Sequence, residues 1–285
     1  MDMAARSQSL DDRLSKRNFE LLSKFIYDYS GIKMPANKMT MLEGRLRRRL
    51  RATGMTSFDG YCDYLFKHSG LESETVYLID AVTTNKTDFF REPKHFEYMV
   101  KTALPSIIKS FGDRRIRTWS SACSTGAEPY TLAMVLNDFI TTSAPERDYF
   151  ILATDLSTDV LQKAQRGIYS GELLQPVPAD LMRKYVMRSS DARRQEMRIS
   201  PRLRSKVGFA RLNLMDDTYP IGEQMHIIFC RNVLIYFDKP TQSHVLTRLC
   251  NCLLPGGYLF IGHSETVTGF DLPIRQVANT VFQRI

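Results

Sequence analysis

Apolar positions recur at helical spacing through residues 16–82. In KRNFELLSKFIYDYS, Phe19, Leu22, Phe25, Ile26 and Tyr29 share one face, and Gly31 follows as a C-terminal stop. NKMTMLEGRLRRRLRATG places Leu42, Leu46 and Leu50 at i, i+4 and i+8, with Gly54 as its stop. SFDGYCDYLFKHSG begins at a serine cap and ends near Gly70, and ESETVYLIDAVTT closes the set. No strand-like alternation interrupts them. The pattern predicts an all-α domain over residues 1–85.

From residue 115 the periodicity changes. RIRTWSS, DYFILATD, KVGFARLN, MHIIFCRN and YLFIGHS read as strands. Between them run AEPYTLAMVLNDFI, STDVLQKAQRGIY with a Ser157 cap, and DKPTQSHVLTRLCNCLL with Pro240 near its start. Pro255-Gly256-Gly257 reads as a break before the last of these strands, and the tail NTVFQRI as an edge strand. Strands alternating with helices predict an α/β fold, a mostly parallel sheet with helices on both faces, over residues 86–285. The stretch at about 185–206 is polar and arginine-rich, with apolar beats at Val186, Met187, Met197 and Ile199. It reads as a hairpin-like insertion outside the sheet.

Composition narrows the class. Of 285 residues 43% are hydrophobic and 25% charged, which permits a sizeable core. No apolar run approaches the ~18 residues of a membrane span, and the first residues lack the apolar stretch of a secretory signal. A cytoplasmic, monomeric protein without membrane insertion is expected. The cysteines, Cys62, Cys123, Cys230, Cys250 and Cys252, have no metal-ligand spacing, so no metal is expected. The net charge of +8 calls for an acidic partner. Arg45, Arg47, Arg48, Arg49 and Arg51 crowd one helix with only Glu43 nearby, and are read as a docking surface. No aromatic residue interleaves with them, which disfavours a single-stranded nucleic-acid platform.

Ligands of an open α/β sheet bind beyond the C-terminal ends of the strands. Asp155, at the end of the second strand, is placed to accept from a ribose diol. The loop SSACSTGAEP after the first strand lacks the GxGxxG of a dinucleotide site and puts Glu128 at the start of a helix. A carboxylate there repels a phosphate and favours a cation. S-adenosylmethionine has the ribose, no phosphate, an ammonium and a sulfonium. Gly126 is read as letting the backbone turn close to that cofactor.

The stretches TTNKTDFFRE, WSSACSTGAEPYT, ILATDLSTDVLQKAQRGIY, IFCRNVLIYFD and LPGGYLFIGHSE together resemble the bacterial chemotaxis receptor glutamate O-methyltransferases. The resemblance implies an all-α domain ahead of a Rossmann-like S-adenosylmethionine-dependent methyltransferase domain with a small inserted β-subdomain. It implies cofactor contacts from Asn85, Thr87, Arg91, Glu128, Asp155, Asn213, Leu214, Arg231 and Asn232, with Arg91 and Tyr236 at the reacting carboxylate. The product cofactor is S-adenosylhomocysteine. The substrates implied are glutamates on cytoplasmic helices of methyl-accepting chemoreceptors. Some family members also bind a receptor's C-terminal tail peptide on the inserted subdomain, which the sequence leaves open here. Family members often carry two acids where this chain has Ala127 and Glu128. The alternative, a nucleic-acid or other protein methyltransferase on the same fold, draws on the positive charge. No (D/N)PPY-like motif or placed cysteine nucleophile accompanies it, and no nucleic-acid partner is expected.

Overall fold

The computed structural model describes residues 12–112, 115–191, 193 and 195–285. By packing, the chain forms two units. One runs to Thr84 and takes in Tyr236–Asp238; the other holds Asn85–Ile235 and Lys239–Ile285.

The first unit is helical: α1 (Lys16–Ser30), α2 (Met39–Thr53), α3 (Phe58–Lys67) and α4 (Leu71–Val82). The Ser15 hydroxyl accepts from the Asn18 N–H and starts α1, and Gly31, at φ 72°, ends it in the left-handed conformation that favours glycine. Phe19, Leu22 and Ile26 are buried, while Phe25 and Tyr29 stack on each other at 6.0 Å and are only half-buried.

The arginines of α2 do not all face outward, and this corrects the picture of a uniform basic surface. Arg49 is forked onto Glu74 of α4, donating from Nε at 2.6 Å and Nη2 at 2.8 Å, and the Tyr61 hydroxyl adds a bond at 2.9 Å. Arg45 donates to the carbonyls of Val82 and Thr83 and to the Thr84 hydroxyl, closing the C-terminal end of α4. Arg47 donates to the Asp12 carbonyl and lies over the Phe58 ring. Arg48 and Arg51 remain exposed. Leu46 and Leu50 set the helix rotation as expected, but the neighbouring helices supply acceptors that periodicity does not show.

Among the described residues the second unit has the strands β1 (Arg115–Ser120), β2 (Asp148–Asp155), β3 (Ile168–Ser170), β4 (Val186–Arg188), β5 (Glu196–Ile199), β6 (Val207–Arg211), β7 (Met225–Cys230), β8 (Leu253–Ile261), β9 (Ile274–Ala278) and β10 (Val281–Arg284). The main sheet has the order β6-β2-β1-β7-β8-β10-β9. Pairing is parallel from β6 to β8 and antiparallel at β10 and β9. The tail strand is therefore interior: β9, which the sequence did not single out, covers it and takes the edge. Pro255-Gly256-Gly257 does not precede β8 but lies within it. A Cβ on Gly257 would come 2.9 Å from the carbonyl oxygens of His226 and Leu254, so glycine lets β7 and β8 stay paired there.

The small sheet has the order β3-β5-β4 and is antiparallel. It reaches back before the 185–206 stretch. Gly167, at φ 61°, ends the preceding helix Thr158–Arg166, and Ile168 and Tyr169 leave as strand rather than as continued helix. A further helical run, Lys94–Tyr98, Met99–Ala103 and Leu104–Ser110, carries a π turn in which the Leu104 N–H reaches the Met99 carbonyl. Pro105, which has no N–H, interrupts the regular ladder at that point. Phe96 and Phe260 stack on either side of the contact with Phe229, at 5.7 and 4.4 Å, in the core beneath the strand ends.

Candidate functional site

Chain order passes from β1 to β2 on one side and returns through β7 on the other, which makes the β1–β7 crevice the switch point where an open sheet takes its ligand. The Ser121 N–H donates to the Phe229 carbonyl at 2.9 Å, and the Cys123 N–H to the Thr154 carbonyl at 2.9 Å. The loop is thereby tied to both neighbouring strands.

Ser124, at φ 51°, turns its N–H onto Asp155 Oδ2 at 2.8 Å and donates its hydroxyl to the Asn85 carbonyl at 2.9 Å. Asp155 Oδ1 accepts from the Ser157 N–H at 3.0 Å. Both Asp155 oxygens thus accept from backbone N–H groups, which fixes the carboxylate at the strand end. The Ser157 hydroxyl makes no cap bond to the helix it precedes; Asp155 turns the chain there instead. Gly126 also has a packing task. At φ 93°, a Cβ would lie 2.7 Å from the Tyr169 hydroxyl and 2.9 Å from the Ala164 side chain, so glycine lets the loop pack against these residues.

Glu128 stands in the first turn of the helix Ala127–Ser143. Its Oε1 accepts from the Ser120 hydroxyl at 2.7 Å, and its Oε2 pairs with Arg231 Nη1 at 3.1 Å. Arg231 was expected to line the cofactor. Its side chain is instead 2% exposed, set within the wall. It donates to the Arg91 carbonyl at 2.5 Å, lies 3.0 Å from Glu92 Oε2, and packs near the rings of Phe96 and Phe229. Burial pushes the Glu128 carboxyl upward, and the opposing charge of Arg231 only partly offsets this. Burial also raises Glu92, but there Arg231 prevails and the net direction is down. Two carboxylates thus share one guanidinium, a formal surplus of one negative charge among these three side chains.

Glu92 was not identified from the sequence, and neither was Glu265. The latter accepts four backbone N–H groups, from Asn232, Val233, Leu234 and Gly262, at 3.0, 2.9, 2.8 and 2.6 Å. It holds the strained Asn232, at φ 58°, whose Nδ2 donates to Glu92 Oε1 at 3.3 Å. The adjacency of Glu92 to Arg91 and of Glu265 to the GHSE strand end was the available signal.

The remaining expected residues fall as follows. Arg91 is half-buried, and among the described residues its guanidinium makes one hydrogen bond, to the Lys86 carbonyl at 3.2 Å. Thr87 is half-buried. Asn213 closes an Asx turn, Oδ1 accepting from the Met215 N–H at 3.1 Å, and the buried Leu214 offers its carbonyl to the Tyr219 hydroxyl at 2.7 Å. Tyr236 ends the short turn Leu234–Tyr236 and is grouped with the helical unit, where its carbonyl accepts from the Lys33 N–H at 3.1 Å. No metal was expected from the cysteine spacing. The structure does bring Glu92, His95 and His263 together, with ligand atoms within 4.8 Å of one another. Burial and the charge of Arg231 push His95 down to about 4.

Residues 17–83 match the CheR methyltransferase, all-alpha domain, and residues 85–282 the CheR methyltransferase, SAM binding domain. The chain belongs to the CheR methyltransferase family. It is 39% identical over 271 residues to the chemotaxis protein methyltransferase of Escherichia coli (strain K12), covering 94% of this chain and 91% of that protein. It is 37% identical over 264 residues to the chemotaxis protein methyltransferase of Borreliella burgdorferi, covering 92% of each. To chemotaxis protein methyltransferase 2 of Pseudomonas aeruginosa it is 35% identical over 268 residues, covering 94% and 93%. The Rossmann-like fold behind an all-α domain, the methyltransferase class and the S-adenosylmethionine cofactor therefore hold for this chain. Among the described residues no helix is long and apolar enough to cross a membrane.

Proposed function

We propose that this chain methylates glutamate side-chain carboxylates on cytoplasmic helices of chemoreceptors, forming glutamyl methyl esters and leaving S-adenosylhomocysteine. The observation that carries the reading is the charge imbalance at the switch point. Glu92 and Glu128 share the Arg231 guanidinium, and the loop that leads to Glu128 has no phosphate-binding glycines. That arrangement fits a cationic nucleoside. S-adenosylmethionine supplies an electrophilic methyl group when bound.

The residues of the chain then divide the work. Asp155, fixed at the strand end by the Ser124 and Ser157 N–H groups, accepts from the ribose diol. Glu128 serves the ammonium end, and Arg231 acts by positioning Glu128. Asn213 and Leu214 flank the adenine, while Asn85, Thr87 and Asn232 complete the wall. A glutamate side chain with a pKa near ~4.3 is already ionised at neutral pH, so no general base is required and positioning dominates. Arg91, with guanidinium donors to spare, steers that carboxylate. Tyr236 is assigned the second carboxylate oxygen on the family resemblance.

Arg48 and Arg51 are the exposed charges we assign to docking on acidic receptor helices. A receptor C-terminal tail peptide would add as a strand to an edge of the small sheet, where Ile168 and Met187 are exposed. We place the protein in the cytoplasm as a monomer. The deciding experiment incubates the chain with methyl-labelled cofactor and receptor cytoplasmic fragments. The label should enter the receptor and be released by mild alkali, as an ester is. Alkali-stable label would point to N-methylation and to the alternative protein or nucleic-acid substrates. Arg91→Ala should lower turnover by about 100-fold, and Asp155→Ala should remove S-adenosylhomocysteine binding in calorimetry.

A further inference from the structure

We propose that Glu92, His95 and His263 form a binding site for one divalent transition-metal ion of the zinc class. Glu92 and His95 flank the start of the helix Lys94–Tyr98, and His263 follows the end of β8. The three side chains thus come from two distant segments of the second unit.

The hydrogen bonds around His95 assign its free nitrogen. The Thr280 hydroxyl donates to the Asn279 carbonyl at 2.8 Å, so its oxygen is left to accept from His95 Nε2–H, also at 2.8 Å. His95 Nδ1 then carries a lone pair. It faces Glu92 Oε2 at 3.5 Å; His95 Nδ1 is buried with no hydrogen-bond partner among the described residues, while Glu92 Oε2 is ion-paired with Arg231 at 3.0 Å. Two acceptors facing each other away from water are unfavourable, and 3.5 Å is too long for a shared proton to bond them well. A cation between them resolves the conflict.

The spacing fits. Tetrahedral zinc with bonds of about 2.0–2.1 Å needs ligand atoms about 3.3 Å apart. His95 Nδ1 and His263 Nε2 lie 3.5 and 3.8 Å from Glu92 Oε2, and all three ligand atoms lie within 4.8 Å of one another, so the side chains draw together on binding. Outer partners are also in place. Thr280 orients His95, and Glu92 Oε1 accepts from the His263 N–H and Asn232 Nδ2, each at 3.3 Å. Arg231, 3.0 Å from Glu92 Oε2, is the opposing charge. Two imidazoles select zinc, cobalt or nickel over magnesium or calcium. His263 is half-exposed, which leaves an entry path and a fourth position for water.

Cobalt(II), then zinc(II), titrated into the full chain tests the site. One cobalt per chain should give the intense visible bands of tetrahedral coordination, which zinc then removes. His263→Ala should abolish the bands and weaken zinc binding by at least about tenfold. Thr280→Val, which keeps all three ligands, should weaken it by about 10–100-fold. A cobalt spectrum that stays that of the aqueous ion overturns the proposal. So does zinc affinity unchanged in His263→Ala, which would mean adventitious surface binding. If His263→Ala does not fold, Thr280→Val decides, and unchanged affinity there overturns the site as well.

Discussion

Each unit buries an arginine against carboxylate, and the two arrangements differ in one respect. In the helical unit Arg49 meets Glu74 one to one, and the Tyr61 hydroxyl takes up the remaining capacity. The hydrogen bond to Glu74, foremost, holds the Arg49 guanidinium above its ordinary value despite burial. In the second unit Arg231 meets both Glu92 and Glu128. The first group is balanced in charge. The second is short of positive charge and keeps a place for a cation. Buried ion pairs contribute little net stability when complete, so the balanced one acts as a fastening between α2 and α4. The unbalanced one costs stability until something cationic binds.

The largest expected effects come from removing one partner of each group. Arg231→Met leaves two buried carboxylates unopposed and should cost about 3–5 kcal/mol in denaturant unfolding, with loss of S-adenosylhomocysteine binding. Glu74→Ala should destabilise by a similar amount, yet leave that binding intact at a temperature where the variant is folded. Equal loss of binding in both variants would erase the distinction between fastening and site.

Glu128→Gln sharpens it further. Removing a charge-assisted contact should weaken cofactor binding by about 1.5–3 kcal/mol in calorimetry. Stability should hold or rise, because burial already disfavours this carboxylate. A marked drop in melting temperature would assign Glu128 to the fastening class instead. Smaller effects belong to the exposed arginines of α2. The double variant Arg48→Glu, Arg51→Glu should raise the apparent KM for receptor about three- to tenfold at low salt, and flatten its salt dependence. Kinetics indistinguishable from wild type would remove docking from this face.

The smallest effect is expected at the opposite end of the sheet. Asp148 holds Lys206 at 2.5 Å and Arg115 at 3.4 Å, joining β2 to its neighbours. Burial raises its carboxyl, but the Lys206 and Tyr149 donors and the charges of Lys206 and Arg115 outweigh that and lower it. A lowered folded pKa contributes stability above the unfolded value of about 3.9 and loses it as pH falls through the folded one. Asp148→Asn should therefore flatten the acid limb of melting temperature between about pH 5 and 3. At this partly exposed site the difference should stay under about 1 kcal/mol. Parallel curves for wild type and variant would show that the pair is fully screened.

The sequence by itself determined the periodic elements and the class of ligand. Leu42, Leu46 and Leu50 mark a helix face because 3.6 residues make a turn, and the strands of the second unit announce themselves as short apolar runs. The loop SSACSTGAEP and Asp155 name a nucleoside without a phosphate because backbone turn, carboxylate and strand end are neighbours in the chain. Tertiary structure alone decided which charges are spent. Arg49 and Arg48 are adjacent and look alike, yet one finds Glu74 across a helix contact and the other finds solvent. Arg231 reaches the carbonyl of Arg91 from 140 positions away, and Glu265 gathers backbone donors from two strand ends. Periodicity reports the direction in which a side chain leaves its own element. Whether a partner waits there depends on how separate elements pack, and that pairing decided which carboxylates remain for a ligand.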